Sequence, residues 1–240
     1  MSSLQNQRVS YRYFDILMAA SAVVLIVSNI ASSAKIVDLG FSLFGIRLAF
    51  DGGTLLFPMA YVLGSIVTEV YGFNAARRII WASFGLLVFS ALVFFVLRVL
   101  PGEISWETEV GTAAHDAILG GMSTGGIVLA SLAAFIAGKF VNILLHSKIK
   151  VLMKGTFLWV RTLGSSLVGQ LLDSIVFVSI ACLVGVFPWH LFLSLALTNC
   201  LLKVLIEVPA LPACYAAARF LKKREGSYVY DEGITYRLFG

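Results

Sequence analysis

The chain has 240 residues, of which 59% are hydrophobic and only 13% charged, with a net charge of +5 and a mean hydropathy of +0.93. A soluble domain is roughly 45–50% apolar and about 25% charged, so more apolar surface is present than a water-facing domain could bury, and the expected solvent is lipid. The basic excess does not point to nucleic acid, because Lys and Arg sit in short pieces between apolar runs and not along an aromatic-laced face.

Six runs are long enough to span as helices, for which about 17–25 residues suffice. They are Phe14–Ala34, Gly53–Val70, Ile79–Leu97, Ile118–Leu145, Leu163–Phe187 and Leu191–Ala218. The first follows Arg8 and Arg12, as a signal peptide would. It is too long for an h-region and leads straight into further spans, so it is expected to be retained. Between the first two runs, FSLFGIRLAF (Phe41–Phe50) alternates around Gly45 and predicts a small hairpin on the outer side. The connection before the fourth run is acidic, with Glu103, Glu107, Glu109 and Asp116. KIKVLMKGTFLWVR (Lys148–Arg161) mixes bases with Leu, Met, Phe and Trp, and predicts an amphipathic piece on the inner leaflet. The tail Glu225–Gly240 is polar, lacks an apolar period and is expected to be loosely ordered.

Basic residues set the orientation. Arg8 and Arg12, then Arg77 and Arg78, then His146, Lys148, Lys150, Lys154 and Arg161, then Arg219, Lys222, Lys223 and Arg224 occupy every second connection. The alternate connections hold little beyond Arg47 and Arg98. An even number of spans with both termini cytoplasmic satisfies the positive-inside rule throughout. The expected fold is an all-α integral membrane protein: one six-helix domain over residues 1–225 and a polar cytoplasmic tail over 226–240.

No cofactor is expected. Cys182, Cys200 and Cys214 lie inside apolar runs without a C-x-x-C pair, and His115, His146 and His190 fall in different segments. There is no Walker loop, so the chain alone is not expected to hydrolyse ATP.

An ionisable residue at the centre of a spanning helix costs about 2.5–3.5 kcal/mol on insertion scales. Glu69, Asp173, Lys203 and Glu207 are four that no loop assignment removes. Each has company at helical spacing. Pro58, Tyr61, Ser65 and Glu69 share one face of the second run, Ser166, Gln170 and Asp173 one face of the fifth, and Asn199, Lys203 and Glu207 one face of the sixth. The first run adds Ser28, Asn29, Ser32 and Ser33, and the fourth Lys139 and Asn142. The third offers no such stripe and is expected to be lipid-exposed scaffolding. By depth, Asp173 and Lys203 fall near the middle of the bilayer, and Glu69 and Glu207 nearer its cytoplasmic side.

Structural roles compete with a site. Asn199, Ser166 and Ser28 could bridge helices. Lys203 and Glu207 could neutralise each other along one helix, and Glu69 could reach Arg77 and Arg78 at the surface. Asp173 has no base on its own helix and lies too deep to snorkel. Three carboxylates against one ammonium leave a charge deficit, met by a protonated carboxyl, by Lys139 or by a donor-rich ligand.

FPMAYVLGSIVTEVYGFNAARRIIW (Phe57–Trp81), LASLAAFIAGKFVN (Leu129–Asn142), LWVRTLGSSLVGQLLDS (Leu158–Ser174), LKVLIEVPALP (Leu202–Pro212) and the tail LKKREGSYVYDEG resemble the queuosine-precursor transporters, the VUT-type family. The likeness covers nearly the whole chain. It implies a multi-pass carrier of the bacterial inner membrane for the 7-cyano and 7-aminomethyl 7-deazaguanines used to build queuosine in tRNA. Ser65 and Lys139 differ from the family's pattern, where an Asp and an acid or amide are usual; Glu69, Asn142, Gln170, Asp173, Lys203 and Glu207 match it.

The chemistry fits such a base. A guanine-like ring offers N1–H and an exocyclic NH2 side by side, a donor pair that one carboxylate accepts together. Asp173 or Glu207 is expected at that edge, with Lys203 near the carbonyl. Gln170, Asn29 or Asn142 could serve the remaining acceptors, Tyr61 could cover the flat face, and Ser65 and Glu69 complete the candidate set. The expected partners are this small molecule and the bilayer, with no nucleic acid and a homo-oligomer left open.

Three functions compete. A carrier working by alternating access suits three spans per half, although Glu69 and Asp173 do not fall at mirrored depths. A substrate-binding subunit of an energy-coupling-factor importer suits the size, but Ala19, Ala20, Ala22, Ala31 and Ala34 contain no pair spaced by four for docking. A membrane enzyme would need a nucleophile–base pair or metal cluster that the sequence lacks.

Overall fold

The computed structural model describes residues 11–43, 46–123, 125–226, 229–231 and 233–237. Among them, five helical stretches are long and apolar enough to cross a membrane: Phe14–Ala34, Phe57–Val99, Gly111–Leu152, Leu158–Leu183 and Trp189–Glu225.

Helix α1 (Phe14–Ala34) buries Phe14, Ser21, Ala22, Leu25, Ser28, Asn29 and Ser32 and exposes Ile16, Val23 and Val27. Polar groups thus face the protein and branched apolar ones face outward, as the lipid solvent requires. Strands β1 (Ile36–Leu43) and β2 (Ile46–Asp51) follow as an antiparallel pair, with Ile36 opposite Asp51 and Leu43 opposite Ile46. The expected hairpin is present and begins earlier than the sequence alternation suggested. Its turn residues lie outside the described set.

Helix α2 (Phe57–Val99) has 43 residues. A straight helix of that length would run about 64 Å, roughly twice the hydrocarbon core. The chain breaks it at Gly72, where φ is 83° and ψ 175°. Ala60, Gly64 and Val67 before the break line one small cavity with Ala76, Ile79, Ile80 and Ser83 after it. That mirrored pairing requires the two halves to fold back along each other, so the second and third predicted runs are the arms of one helical hairpin. Leu86, Phe89, Leu92, Phe95 and Val96 on the second arm are exposed, which agrees with its expected lipid-facing character.

The break leaves backbone groups without helical partners, and the tail supplies them. Val229 donates its amide to the Val70 carbonyl at 3.3 Å. Both carboxylate oxygens of Asp231 accept the Phe73 amide, at 3.0 and 3.1 Å, and one also accepts the Ser147 hydroxyl at 2.6 Å. Asp231 is buried, and the Tyr236 ring packs edge-on against Phe73. The expectation of a loosely ordered tail is corrected for these residues: a carboxylate cap and one aromatic ring anchor them without any apolar period. A Cβ on Gly72 would meet Asp231 Oδ1 at 2.7 Å and Val229 Cγ1 at 2.8 Å, in a backbone conformation suited to glycine. Gly72→Ala should therefore cost about 1–3 kcal/mol, read as a lower melting temperature of the purified protein. An unchanged melting temperature would remove the break's special role.

Short helix α3 (Ile104–Glu109) and α4 (Gly111–Ser123) lead into α5 (Gly126–Leu152). The fourth predicted run is thus divided, because Gly125 adopts φ 81° between α4 and α5. Helix α6 (Leu158–Leu183) follows after a turn, then α7 (Phe192–Glu225), which contains Pro209 and Pro212. The inner-leaflet amphipathic segment expected over Lys148–Arg161 is instead the end of α5, a turn and the start of α6. Its Lys150 and Arg161 point inward and are buried.

The start of α1 and the end of α7 meet, since Glu225 accepts the Arg12 and Tyr13 amides at 3.0 and 2.9 Å. Tyr71, beside the Gly72 break, donates its hydroxyl to the same carboxylate at 2.9 Å. The start of α1, the end of α7, the α2 break and the α5–α6 turn therefore share one end of the bundle, hereafter the tail end. The β-hairpin lies at the other.

Candidate functional site

The buried polar groups form three clusters along the bundle. The central one is built on a close crossing of α5 and α6. A Cβ on Gly138 would lie 2.6 Å from the Gly169 carbonyl, Asp173 Cβ and Tyr61 Oη, and one on Gly169 would lie 2.7 Å from the Gly138 carbonyl. Paired glycines let membrane helices approach at backbone distance, and the space they leave admits the Tyr61 ring from α2.

Around this crossing the charges pair across helices. Lys203 Nζ donates to Asp173 Oδ2 at 2.6 Å, lies 3.4 Å from Ser174 Oγ and sits 4.9 Å from the centre of the Phe57 ring. The alternative pairing of Lys203 with Glu207 along α7 does not form. Glu207 instead accepts the Gln170 amide at 2.5 Å. Lys139, absent from the sequence-based site set, enters from α5. It donates to the Ala60 carbonyl, sits 4.6 Å from the centre of the Tyr61 ring, and lies within electrostatic reach of Glu207 and Asp173. Room for it exists because Gly64 has no side chain; a Cβ there would lie 2.5 Å from Lys139 Nζ. The centre thus holds the carboxyl groups of Asp173 and Glu207 and the amines of Lys203 and Lys139, so Lys139 is placed to offer the missing countercharge.

Twelve buried side-chain polar atoms of the described residues lack a hydrogen-bond partner, and five of them belong to this centre. Among the described residues, Tyr61 Oη, Ser65 Oγ, Asn142 Oδ1, Gln170 Oε1 and Glu207 Oε1 are buried without a partner. Asn142 does use its amide, donating to Ser165 and Ser166 at 3.2 Å each. Buried polar atoms of native proteins are rarely left so. These five come from α2, α5, α6 and α7, and three of them can only accept. In their chemistry these acceptors match neighbouring N–H groups.

Glu69 belongs to a second cluster, one turn beyond Ser65 towards the tail end. Arg161 grips it with two bonds, Nε to Oε2 at 3.0 Å and Nη2 to Oε1 at 2.8 Å, while Lys222 Nζ lies 2.5 Å from Oε1 and His146 Nε2 3.4 Å from Oε2. Lys150 donates to the Glu69 carbonyl at 2.9 Å and to the Val229 carbonyl at 2.6 Å. Four helices and the tail are tied here. The expected partners Arg77 and Arg78 are not the ones Glu69 takes.

The third cluster, at the hairpin end, escaped sequence reasoning. Asp51 is buried and accepts the Ser32 hydroxyl, the Thr54 hydroxyl at 2.9 Å and the Asn199 amide at 3.0 Å. One acid at the mouth of a predicted loop gave no signal by itself. The serine stripe of α1 and Asn199 of α7 were its partners in plain view. Asn29, on the same helix as Ser32, donates to the Leu25 carbonyl of its own preceding turn at 2.9 Å. The geometry therefore brings together Asp173, Lys203, Glu207, Gln170, Asn142, Tyr61 and Ser65, with Lys139 added, and sets Glu69 and Asn29 in other surroundings.

Comparison with known proteins agrees with this architecture. The family described as "Putative vitamin uptake transporter" matches residues 51–217. The chain is 28% identical to the "Probable queuosine precursor transporter" of Bacillus subtilis (strain 168) over 186 residues, covering 77% of this chain and 78% of that protein. It is 25% identical to the "Queuosine precursor transporter" of Escherichia coli (strain K12) over 181 residues, covering 75% and 76%. No solved structure matches. The long apolar helices and the family match make the chain a multi-pass bacterial membrane protein. It belongs to the VUT family, the queuosine-precursor transporters that its motifs resemble.

Proposed function

We propose that the protein imports 7-cyano- and/or 7-aminomethyl-7-deazaguanine across the bacterial inner membrane, binding the base at the central cluster of α2, α5, α6 and α7. The observation that carries this reading is the set of five unpartnered polar atoms around the Gly138–Gly169 crossing. Glu207 Oε1 and Gln170 Oε1 are unpartnered acceptors on two side chains that bond each other across α6 and α7, suited to the N1–H and exocyclic NH2 of a guanine-like edge. Asp173 is already engaged by Lys203, which favours Glu207 over Asp173 for that edge. The Tyr61 hydroxyl is a donor for the ring carbonyl or N3, and Asn142 Oδ1 and Ser65 Oγ complete the lining.

Transport needs access from each side in turn. The Asp51 cluster closes the hairpin end and the Glu69–Arg161–Lys222 cluster the tail end, and each can open by separating its ion pairs or hydrogen bonds. In this reading both termini are cytoplasmic and the tail end is the inner face, which puts Arg77, Arg78, Lys150, Arg161 and Lys222 on the side that the positive-inside rule demands. The start of α1 and the end of α7 lie at one end of the bundle, which supports an even number of crossings, with the α2 hairpin supplying two of a proposed six.

Uptake of each labelled precursor by cells that cannot make it tests this function. Expression of the chain is expected to restore uptake and queuosine in tRNA. An uncoupler that abolished uptake would assign proton coupling to the same site. Failure to take up either base would contradict the proposal.

A further inference from the structure

A cavity of about 480 Å3 opens at the tail end between the start of α6 and the last turns of α7. It lies past Glu69, outside the central cluster. Among the described residues its lining carries Arg161, Arg219 and Lys222 beside the carboxylate of Glu69, and Arg161 and Lys222 already contact that carboxylate. The first turn of α6 also faces it, through Phe157, Leu158 and Trp159. That places the positive end of a 26-residue helix dipole beside the same space. Tyr215 stands on the opposite wall and accepts the Trp159 amide at 2.8 Å.

The mouth is apolar. Phe157 is 62% exposed and Trp159 52% exposed, the kind of side chain that settles at the level of lipid headgroups. A soluble anion has no use for such a rim, whereas a headgroup with acyl chains attached uses both halves of the site. A neutral deazaguanine base would leave the charge excess unanswered.

We propose that this cavity binds the phosphate of an anionic lipid of the inner leaflet, with Arg219 at the rim as the principal lipid-facing donor and Phe157 and Trp159 against the acyl chains. The assignment of the leaflet rests on the orientation proposed above; the binding does not. An occupying phosphate would add acceptors beside the Glu69–Arg161–Lys222 cluster and so brace the α6–α7 contact. Anionic lipid would then stabilise the state in which the tail end is closed.

The test uses the full-length protein, delipidated and placed in nanodiscs of phosphatidylcholine with or without phosphatidylglycerol. Native mass spectrometry reads retained lipid and thermal unfolding reads stability. Phosphatidylglycerol is expected to be retained in preference to phosphatidylcholine and to raise the melting temperature. Arg219→Gln, at an exposed position, should weaken that preference about tenfold, the effect of losing one charge-assisted hydrogen bond. Trp159→Ala should weaken retention of both lipids. Equal retention of the two lipids by the wild type, an unchanged preference in Arg219→Gln, or full stabilisation by inorganic phosphate alone would each overturn the proposal. No deazaguanine is present in the measurement, so its outcome is separate from that of the transport assay.

Discussion

Glu207→Gln should lower uptake of 7-deazaguanines about a hundredfold and leave the protein folded. The carboxylate is buried and makes its bond to Gln170 through Oε2, while Oε1 has no partner among the described residues. An amide of the same shape keeps one carbonyl acceptor but turns the second position from acceptor into donor. It would then confront the N–H groups of the base with an NH2 instead of an oxygen. Losing a charge-assisted bond costs about 1.5–3 kcal/mol, which corresponds to about ten- to a hundredfold in binding, and the donor–donor clash favours the upper end. Stability should change little, because the amide keeps the side chain's shape and its bond to Gln170, and Lys139 keeps its bond to the Ala60 carbonyl. Labelled uptake beside a melting curve of the same preparation separates the two effects, and a folded variant with full uptake would place the base elsewhere.

Arg161→Ala has the largest expected effect on stability. Arg161 is 1% exposed, holds both oxygens of Glu69, and donates Nη1 to the Thr156 carbonyl at 2.6 Å. Its removal leaves a buried carboxylate with only Lys222 and His146, and uncaps the turn before α6. Breaking one side of such a pair costs about 3–5 kcal/mol, a large share of the 5–15 kcal/mol typical of a folded domain. The purified variant should melt far below the wild type or fail to accumulate. Combining it with Glu69→Gln should recover part of the loss, since the charge left behind is then gone. A single variant with wild-type stability would show that the cluster does not close the tail end.

These two residues also show what a sequence discloses. Asp173, Lys203 and Glu207 stand out because a charge in lipid demands an explanation, and helix periodicity placed Gln170, Tyr61 and Ser65 beside them. The same periodicity drew Glu69 into the site, since it shares their helix face. What separates it is Arg161, which reads as one more loop charge and acts as a buried clamp. Lys139 was visible as a polar residue, but its place depends on Gly64, one helix away. Asp51 and Asp231 gave little warning because each lies in or beside a loop, and most of their bonds go to a backbone amide, hydroxyls and an amide side chain distant in sequence. The presence of long apolar helices was legible from composition, while the single-residue reversal of α2 needed the positive φ of Gly72 and the tail that covers it.

The most direct test of the central claim compares two ligands on two proteins. Binding of a 7-deazaguanine and of its analogue without the exocyclic amino group is measured on purified wild type and on Glu207→Gln. If Glu207 and Gln170 receive the donor edge, loss of the amino group should weaken wild-type binding about tenfold or more and change binding to the variant little, because the acceptor is already lost. Equal penalties in the two proteins would contradict the assignment of that edge to Glu207 and, with it, the central site as proposed.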